Sequence, residues 1–525
     1  MFEPATDTVL QELSKQIDHL HRQVAQWQLT LHSSHRDRVM EQTTVHEWYQ
    51  FFKDLQRTNM DLVVQHISVP QEPGGSSPGL VIYLSSLVSE SRLLAAIPYL
   101  GPSTPDFTAA PDATWHIIPT QEVLSFTDAV AAYLTGKVVL FIEGSPGAVS
   151  IDLANPPHAS ISSTQTELSI RGPQEAFSDL LTEQIGQLRR RLNTPELVVE
   201  DVIIGVRIPC HLALIYVDSL ADSEVVTTVK QRLAAITIDN AVSATRIGSL
   251  IRDNPWSIFP TVRYSERADW VALEIQQGQV AVFVNGDPFA LTMPATLAHF
   301  YRTSADYNSA WYDTSFVRGI RLLAWAFGIF LPAIYIALTE VNPSLISPKL
   351  FDLTAGSHTG LPFTPLVEVV VMIIIIEILR EAAQRLPKIL ASTIGTVGAI
   401  VIGTAVVKAG FVSPQIIVLM TLTALSLFSV PTYELIGTWR LIGWAMLIAS
   451  FLLGVYGLSL AIVWLTIEMV SLQSFGTPYF VPWSPLRRSD WANTLWRLPW
   501  SALTRRLTEG RAIHLSWQSP VRKRP

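Results

Sequence analysis

Four ionisable residues lie in or beside one apolar run: Glu368, Glu377, Arg380 and Glu381, around residues 366–379. A carboxylate in hydrocarbon costs several kcal/mol unless it is paired or hydrated. Glu377, Arg380 and Glu381 are three and four apart, so they can share one helix face. Two chemistries fit them. One is a structural ion pair. The other is an ion path that Glu377 faces, with Arg380 and Glu381 orienting it. Pro362 and Pro365 precede the run, and Arg385 and Pro387 follow it. That framing predicts a short re-entrant or pore-facing helix rather than a lipid-exposed span. Next along the chain, Ala391, Gly395, Ala399 and Gly403 recur every four residues. Small residues let helices approach closely in lipid, so this seam is either tight packing or a moving interface. Lys408 closes that run and is read as snorkelling to the interface.

Elsewhere the chemistry-bearing patterns are sparse. The amino-terminal half has no Walker loop, no G-x-G-x-x-G, no G-x-S-x-G and no H-E-x-x-H, so no enzyme and no cofactor are expected. His32 and His35 have no carboxylate or cysteine cluster beside them and read as a solvated loop, not a metal site. Cys210 is the sole cysteine. It excludes an internal disulfide framework and any multi-cysteine zinc site. Arg189-Arg190-Arg191 reads first as a charged helix face, second as a site for an acidic lipid or partner.

The surrounding elements follow from composition. Of 525 residues, 49% are hydrophobic and 15% charged, against roughly 25% charged in a soluble domain. Residues 1–317 hold 20 Lys+Arg and 35 Asp+Glu; residues 318–470 hold 8 and 7; residues 471–525 hold 9 and 2. An acidic soluble part, a membrane part and a basic tail are implied. The overall charge of −7 gives no nucleic-acid footprint. Apolar runs at 320–338, 389–407, 415–430 and 441–467 predict spans. The last is long enough to cross with tilt, or with a break near Gly454 and Gly457; a hairpin within it reads as too short. The tail and the Arg318/Arg321 flank favour the cytoplasm. With no secretory signal in the first 30 residues, four crossings plus one non-crossing helix satisfy the parity.

The soluble part is duplicated. Asp61-Leu-Val-Val and residues 79–87 (GLVIYLSSL) echo Glu196-Leu-Val-Val and residues 212–220 (LALIYVDSL). Residues 131–144 echo residues 272–286, with Gly136 and Gly278 closing helices. Two similar α/β subdomains, each a small open sheet with helices, are expected. Leu10, Leu13, Ile17, Leu20, Val24, Trp27 and Leu31 keep a 3-4 heptad spacing. They form either an amphipathic helix on the neighbouring domain or a short coiled coil between subunits. In the tail, Trp483, Trp491, Trp496 and Trp500 alternate with Arg487, Arg488, Arg497, Arg505 and Arg506. This predicts an interfacial segment on anionic lipid. The expected order is 1–58 helical, 59–190 and 191–305 the α/β subdomains, 306–470 transmembrane, and 471–525 the tail. The fold class is thus an α/β cytoplasmic region of two similar subdomains. It is joined to an α-helical transmembrane domain of about four spans and one short re-entrant or broken helix.

Several ordered stretches carry a family resemblance. They are residues 189–197 (RRRLNTPEL), Ile238-Asp239-Asn240, residues 254–262 (NPWSIFPTV), 285–289 (NGDPF) and 331–338 (LPAIYIAL). They continue with residues 377–387 (EILREAAQRLP), 409–414 (AGFVSP) and 474–479 (SFGTPY). The chain resembles the A subunit of bacterial spore germinant receptors, the GerA family, from about residue 60 to 486. The resemblance implies a multi-pass subunit of a nutrient-sensing complex in the spore inner membrane. Its partners would be a permease-like B subunit and a lipoprotein C subunit. It also implies a homo-oligomer that forms an ion conduit, beside membrane lipid and without nucleic acid. Departures are local. The family places a carboxylate after the residue matching Met372, where Ile373 stands here, and a hydroxyl residue at Ile375. Thr404 and Lys408 stand where it tends to have Gln and Glu. Two further readings accompany the ion-channel subunit. One is a non-conducting scaffold of the same complex. The other is a proton-coupled transporter, which calls for inverted repeats that the apolar block lacks.

Overall fold

The computed structural model describes residues 45–71, 75–89, 91–93, 120–123, 126–143, 148–154, 163–167, 169, 171–240, 243–385, 408–503, 505–514 and 516. The heptad run, Thr404 and the seam of Ala391, Gly395, Ala399 and Gly403 lie outside the described residues. The chain forms two compact units. The first comprises residues 1–162, 177–203 and 211–218; the second comprises 163–176, 204–210 and 219–525.

In the first unit, α1 (Val45–Arg57) buries Val45, Trp48 and Phe52 at three- and four-residue spacing, one stripe of a helix. Five strands follow: β1 (Leu62–Gln71), β2 (Gly75–Leu84), β3 (Thr120–Val123), β4 (Val138–Ile142) and β5 (Ala148–Ile151). They lie in the order β1-β2-β4-β5-β3, every pairing antiparallel. Side chains alternate across a strand. Leu80, Ile82 and Leu84 therefore pack under Trp48, Phe52 and α2 (Phe126–Leu134), while Val81 and Tyr83 join Val138, Leu140 and Ile151 on the other face. Both faces are covered, which is why these strands read as unbroken apolar runs. The unit also holds α3 (Leu181–Arg191) and the neighbouring strands β6 (Leu197–Ile204) and β7 (Cys210–Val217).

The second unit begins with α4 (Ser223–Ala234) and α5 (Ala244–Ile251). Then β8 (Arg263–Ser265), α6 (Ala268–Gln276), β9 (Val280–Val284) and β10 (Ala290–Met293) repeat the first unit's β3, α2, β4 and β5 in sequence. They repeat its pairing as well: β9 with β10 and β10 with β8, antiparallel. Gly136 (φ 87°) and Gly278 (φ 90°) end the matching helices in the left-handed conformation, which glycine adopts without a Cβ penalty. Two short helices, α7 (Leu297–Tyr301) and α8 (Ser304–Asn308), lead into the helical region.

That region holds α9 (Trp311–Ile336, continued by a π turn to Val341), α10 (Pro348–His358), α11 (Pro365–Arg385), α12 (Pro414–Phe428) and α13 (Tyr433–Ser471). Among the described residues, two stretches are long and apolar enough to cross a membrane, Trp311–Val341 and Tyr433–Ser471. The run at residues 366–379, expected as a short re-entrant or pore-facing helix, is not short: it lies in a continuous helix of 21 residues. At 1.5 Å per residue it spans about 31 Å. The break falls in α13, at Gly454 (φ 61°, ψ −138°). Thr438 Oγ donates to Ile258 O (2.6 Å) and Ser474 Oγ to Thr261 O (2.7 Å). A straight helix would separate Thr438 from Ser474 by about 54 Å, yet their partners are three residues apart. The chain therefore doubles back at Gly454, and the hairpin rejected on length is present. At the bend, a Cβ on Gly457 would stand 2.0 Å from Ala449 O.

The other helices orient themselves against α9. Its start shares a core with the α/β elements: Phe259, Phe300 and Tyr301 pack with Trp325, Trp439 and Leu465. This is the near end. At the far end, Asn342 Oδ1 accepts from Val455 N (2.9 Å) at the α13 bend. Glu340 Oε2 accepts from Leu366 N (2.9 Å), so α11 starts at the far end. Ser413 N donates to Glu368 Oε2 (2.7 Å), so α12 starts there too.

Candidate functional site

Among the expected site residues, Glu377 and Arg380 come together. Arg380 Nη1 donates to Glu377 Oε1 (2.8 Å) across one helical turn of α11. Glu377 Oε2 accepts from Arg440 Nη1 of α13 (2.6 Å), a partner that sequence spacing missed. One signal could have found it: Arg440 is the only basic residue between 433 and 471. Glu381 does not join them. It pairs with Arg385 (2.6 Å) at the exposed end of the helix, because i,i+4 on a solvated face is the easier geometry. A cavity of about 50 Å³ lies beside the cluster, lined by Pro332, Ile376, Glu377, Arg380, Thr423 and Arg440 among others. The Arg380 guanidinium also lies over the Phe428 ring, 5.7 Å from its centroid.

Glu368 sits one level away, toward the far end, and is fully buried. Its Oε1 bonds His358 Nδ1 (2.8 Å), and His358 Nε2 bonds the Tyr335 hydroxyl (3.0 Å). Its Oε2 takes the amide of Ser413, the N-cap of α12. One carboxylate thus ties α9, α10, α11 and α12 together at two helix N-termini, where negative charge is favoured. Ile373 and Ile375, which stand at the family's polar positions, pack against the cluster of Ile336, Met372, Met420 and Leu447.

A buried charge network lies where α9 starts. Asp306 accepts from Arg318 Nε (3.0 Å) and from both terminal nitrogens of Arg321 (3.1 and 3.2 Å). Burial pushes the Asp306 carboxyl up, but these two guanidiniums hold it below its ordinary value. Arg318 Nη1 also donates to Asn493 O (2.6 Å) in α14 (Arg488–Thr494). The Arg318/Arg321 flank, read from the sequence as favouring the cytoplasm, is committed to protein contacts. Glu274 pairs with His299, and Arg302 with Glu509.

The tail differs from expectation for the same reason. Arg497 donates to Ser309 O (2.7 Å) and Tyr307 O (3.0 Å), Arg506 to Gln276 O (2.8 Å), and Arg511 pairs with Asp222 (2.8 Å). Trp483 packs on the helical core. The segment straps the second unit, since its guanidiniums find carbonyls and carboxylates there. Trp496 and Arg488 stay exposed. In the first unit, Arg189 is not a surface charge either. It is buried and gives a fork to Asp61 (2.8 and 3.1 Å), with further bonds to Asn59 Oδ1 (2.7 Å) and Leu197 O (3.0 Å).

The sequence model of the family described as "Bacillus/Clostridium GerA spore germination protein" matches residues 50–509. The chain is 35% identical over 369 residues to spore germination protein KA of Bacillus subtilis (strain 168), covering 70% of this chain and 68% of that one. It is 34% identical over 374 residues to spore germination protein B1 of the same organism, covering 71% and 77%. It is 30% identical over 437 residues to spore germination protein XA of Bacillus anthracis, covering 82% and 89%. A crystal structure of the N-terminal domain of the A subunit of the Bacillus megaterium spore germinant receptor GerK3 aligns with a TM-score of 0.35 and 22% identity, over 47% of this chain and 93% of that one.

Proposed function

Because the chain belongs to the GerA family of spore germination proteins, we propose that it is the membrane subunit of a nutrient germinant receptor that couples sensing to ion release. The observation that carries this reading is Glu377, held between Arg380 of its own helix and Arg440 of α13 inside the helical region. An ion pair that bridges two helices is a two-state element: closed while paired, open when the helices part. In the closed state both Glu377 oxygens are occupied. Opening frees the carboxylate to face a passing cation. Arg440 takes the orienting role first assigned to Glu381. Glu368 supplies a second carboxylate, two and a half turns earlier on α11.

The assembly we propose is a homo-oligomer with a permease-like B subunit and a lipoprotein C subunit, in the spore inner membrane. The seam of Ala391, Gly395, Ala399 and Gly403 would pack between helices. The basic tail favours the cytoplasm for the α/β units, and α13 would cross twice, returning to that side. The test is germinant-triggered potassium release from spores carrying Glu377→Gln. Altered release or ion selectivity is expected. Unchanged release and selectivity would sink the gate and leave the scaffold reading, which liposomes containing the full receptor would then show as absence of conductance.

A further inference from the structure

The cavity beside Glu377 carries more positive than negative charge. Its ionisable lining residues are one carboxylate, Glu377, and two guanidiniums, Arg380 and Arg440, a formal sum of +1. Glu381 does not restore balance, because Arg385 already neutralises it on an exposed face. Each Glu377 oxygen takes one N–H. Arg380 Nε, Arg380 Nη2 and Arg440 Nε are shielded from solvent and meet no acceptor among the described residues. The Phe428 ring lies 5.7 Å from the Arg380 guanidinium and supplies no oxygen acceptor to it. Buried donors left unpaired are costly, and so is an uncompensated charge among apolar helices. The same wall supplies apolar surface from Ile376, Leu427 and Trp444. Arg440 is partly exposed, with 38% of its side chain open, so the cavity has an entrance on that side.

We infer that this cavity takes a phosphate-type oxyanion, gripped by the unpaired edges of Arg380 and Arg440. A guanidinium fork matches phosphate oxygens in two-point geometry. At about 50 Å³ the space is several times what one water needs, enough for one tetrahedral group but not for a nucleotide. The oxyanion can come from an anionic phospholipid, whose acyl chains the apolar wall suits, or from free phosphate. The site concerns the resting charge balance, so it holds equally for a conducting subunit and for a scaffold.

The test uses the purified full-length chain in lipid-free detergent. Melting is followed while phosphatidylglycerol, phosphatidylcholine or inorganic phosphate is titrated in. Saturable stabilisation by phosphatidylglycerol alone assigns a lipid headgroup; stabilisation by inorganic phosphate as well assigns the bare oxyanion. Arg440→Gln is expected to weaken binding about tenfold, the worth of one charge-assisted contact. Glu377→Gln is expected to tighten it several-fold, because the competing carboxylate is gone and the formal sum rises to +2. Arg440→Lys, which keeps the charge and loses the fork, falls between wild type and Arg440→Gln and covers the case of a misfolded glutamine variant. No stabilisation by any probe overturns the inference. So do equal responses to phosphatidylglycerol and phosphatidylcholine, equal affinity in Arg440→Gln, or weaker binding in Glu377→Gln. Unchanged potassium release in the Glu377→Gln spores bears on the gate and leaves this site standing.

Discussion

The two α/β copies share a strand–helix–strand–strand order and its pairing, yet they hold charge in opposite ways. Among the described residues, the buried charges of the first unit are Asp61 and Arg189, which satisfy each other. The second unit buries Arg263, Arg267, Glu274, Arg302, Asp306, Arg318, Arg497 and Glu509, held in several ion pairs and carbonyl bonds. Several of these belong to α9 and the tail, not to the repeated elements. The repeat thus supplies a scaffold in both places, and only the second copy has been fitted with charges that weld it to helices and strap. A buried ion pair is weak evidence for stability but strong evidence for a fixed geometry once formed.

The largest expected effect tests that weld. Arg318→Met removes the guanidinium that bonds Asp306, Asn493 O and Thr494 O together. Breaking a buried pair from one side costs about 3–5 kcal/mol. Hydrogen exchange of the full chain should speed up in α8, α9 and α14 while β1, β2 and β4 keep their protection. Equal loss in both units would break the contrast. Next in size is Arg189→Met, about 3 kcal/mol, confined to β1, α3 and β6. Adding Asp61→Leu should recover most of it, since the charge left stranded is then gone.

The duplicated sheet was legible because both faces of its strands are covered, so apolar runs and the glycines after the helices repeat together. The Glu377–Arg380 pair was legible because three residues make one helical turn. Arg440 was not, since it lies 63 residues from Glu377 and helix packing leaves no mark in local spacing. Arg189 was hidden among three identical residues; what selects it is Asp61, 128 residues away. The bend at Gly454 is visible locally as two glycines, but the hairpin is set by Thr438 and Ser474 reaching back to one loop.

A matched glycine pair sharpens the comparison at lower energy. Gly136→Ala and Gly278→Ala impose the same left-handed penalty, about 1–2 kcal/mol. At Gly136 the new Cβ meets Leu87 Cβ at 3.3 Å and Ala154 Cβ at 3.4 Å, tight side-chain contacts. At Gly278 it would stand 2.7 Å from Ala512 Cα, backbone of the strap. Gly278→Ala should therefore cost about 1–2 kcal/mol more in thermal unfolding, a typical overpacking increment. It should also raise proteolysis near residue 512. Equal costs for the two variants would mean that the strap is not seated.

The smallest effect is a pH slope. Gln279 Nε2 donates to His299 Nδ1 (2.9 Å), which leaves the ring's proton on Nε2 to donate to Glu274. Burial holds this imidazole below its ordinary value of 6.5. The folded state therefore refuses a proton that the unfolded chain accepts. Its contribution is fully present above about pH 6.5 and is lost as pH falls from there toward the depressed folded value, at no more than about 1.4 kcal/mol per pH unit. Glu167 in the same unit works in the opposite sense. Burial raises its carboxyl above 4.5, so its share of stability declines as pH rises. The difference between wild type and His299→Gln isolates the histidine from that background. In the first unit Tyr133 is pushed up to about 12, far above this window. Exchange in β9 and α6 should thus quicken between pH 6.5 and 5 once the intrinsic rate is removed, the His299→Gln slope should be flatter, and β4 and α2 should show neither change. The same slope in β4 as in β9 would mean that the acid response belongs to the shared fold and not to the charges added to its second copy.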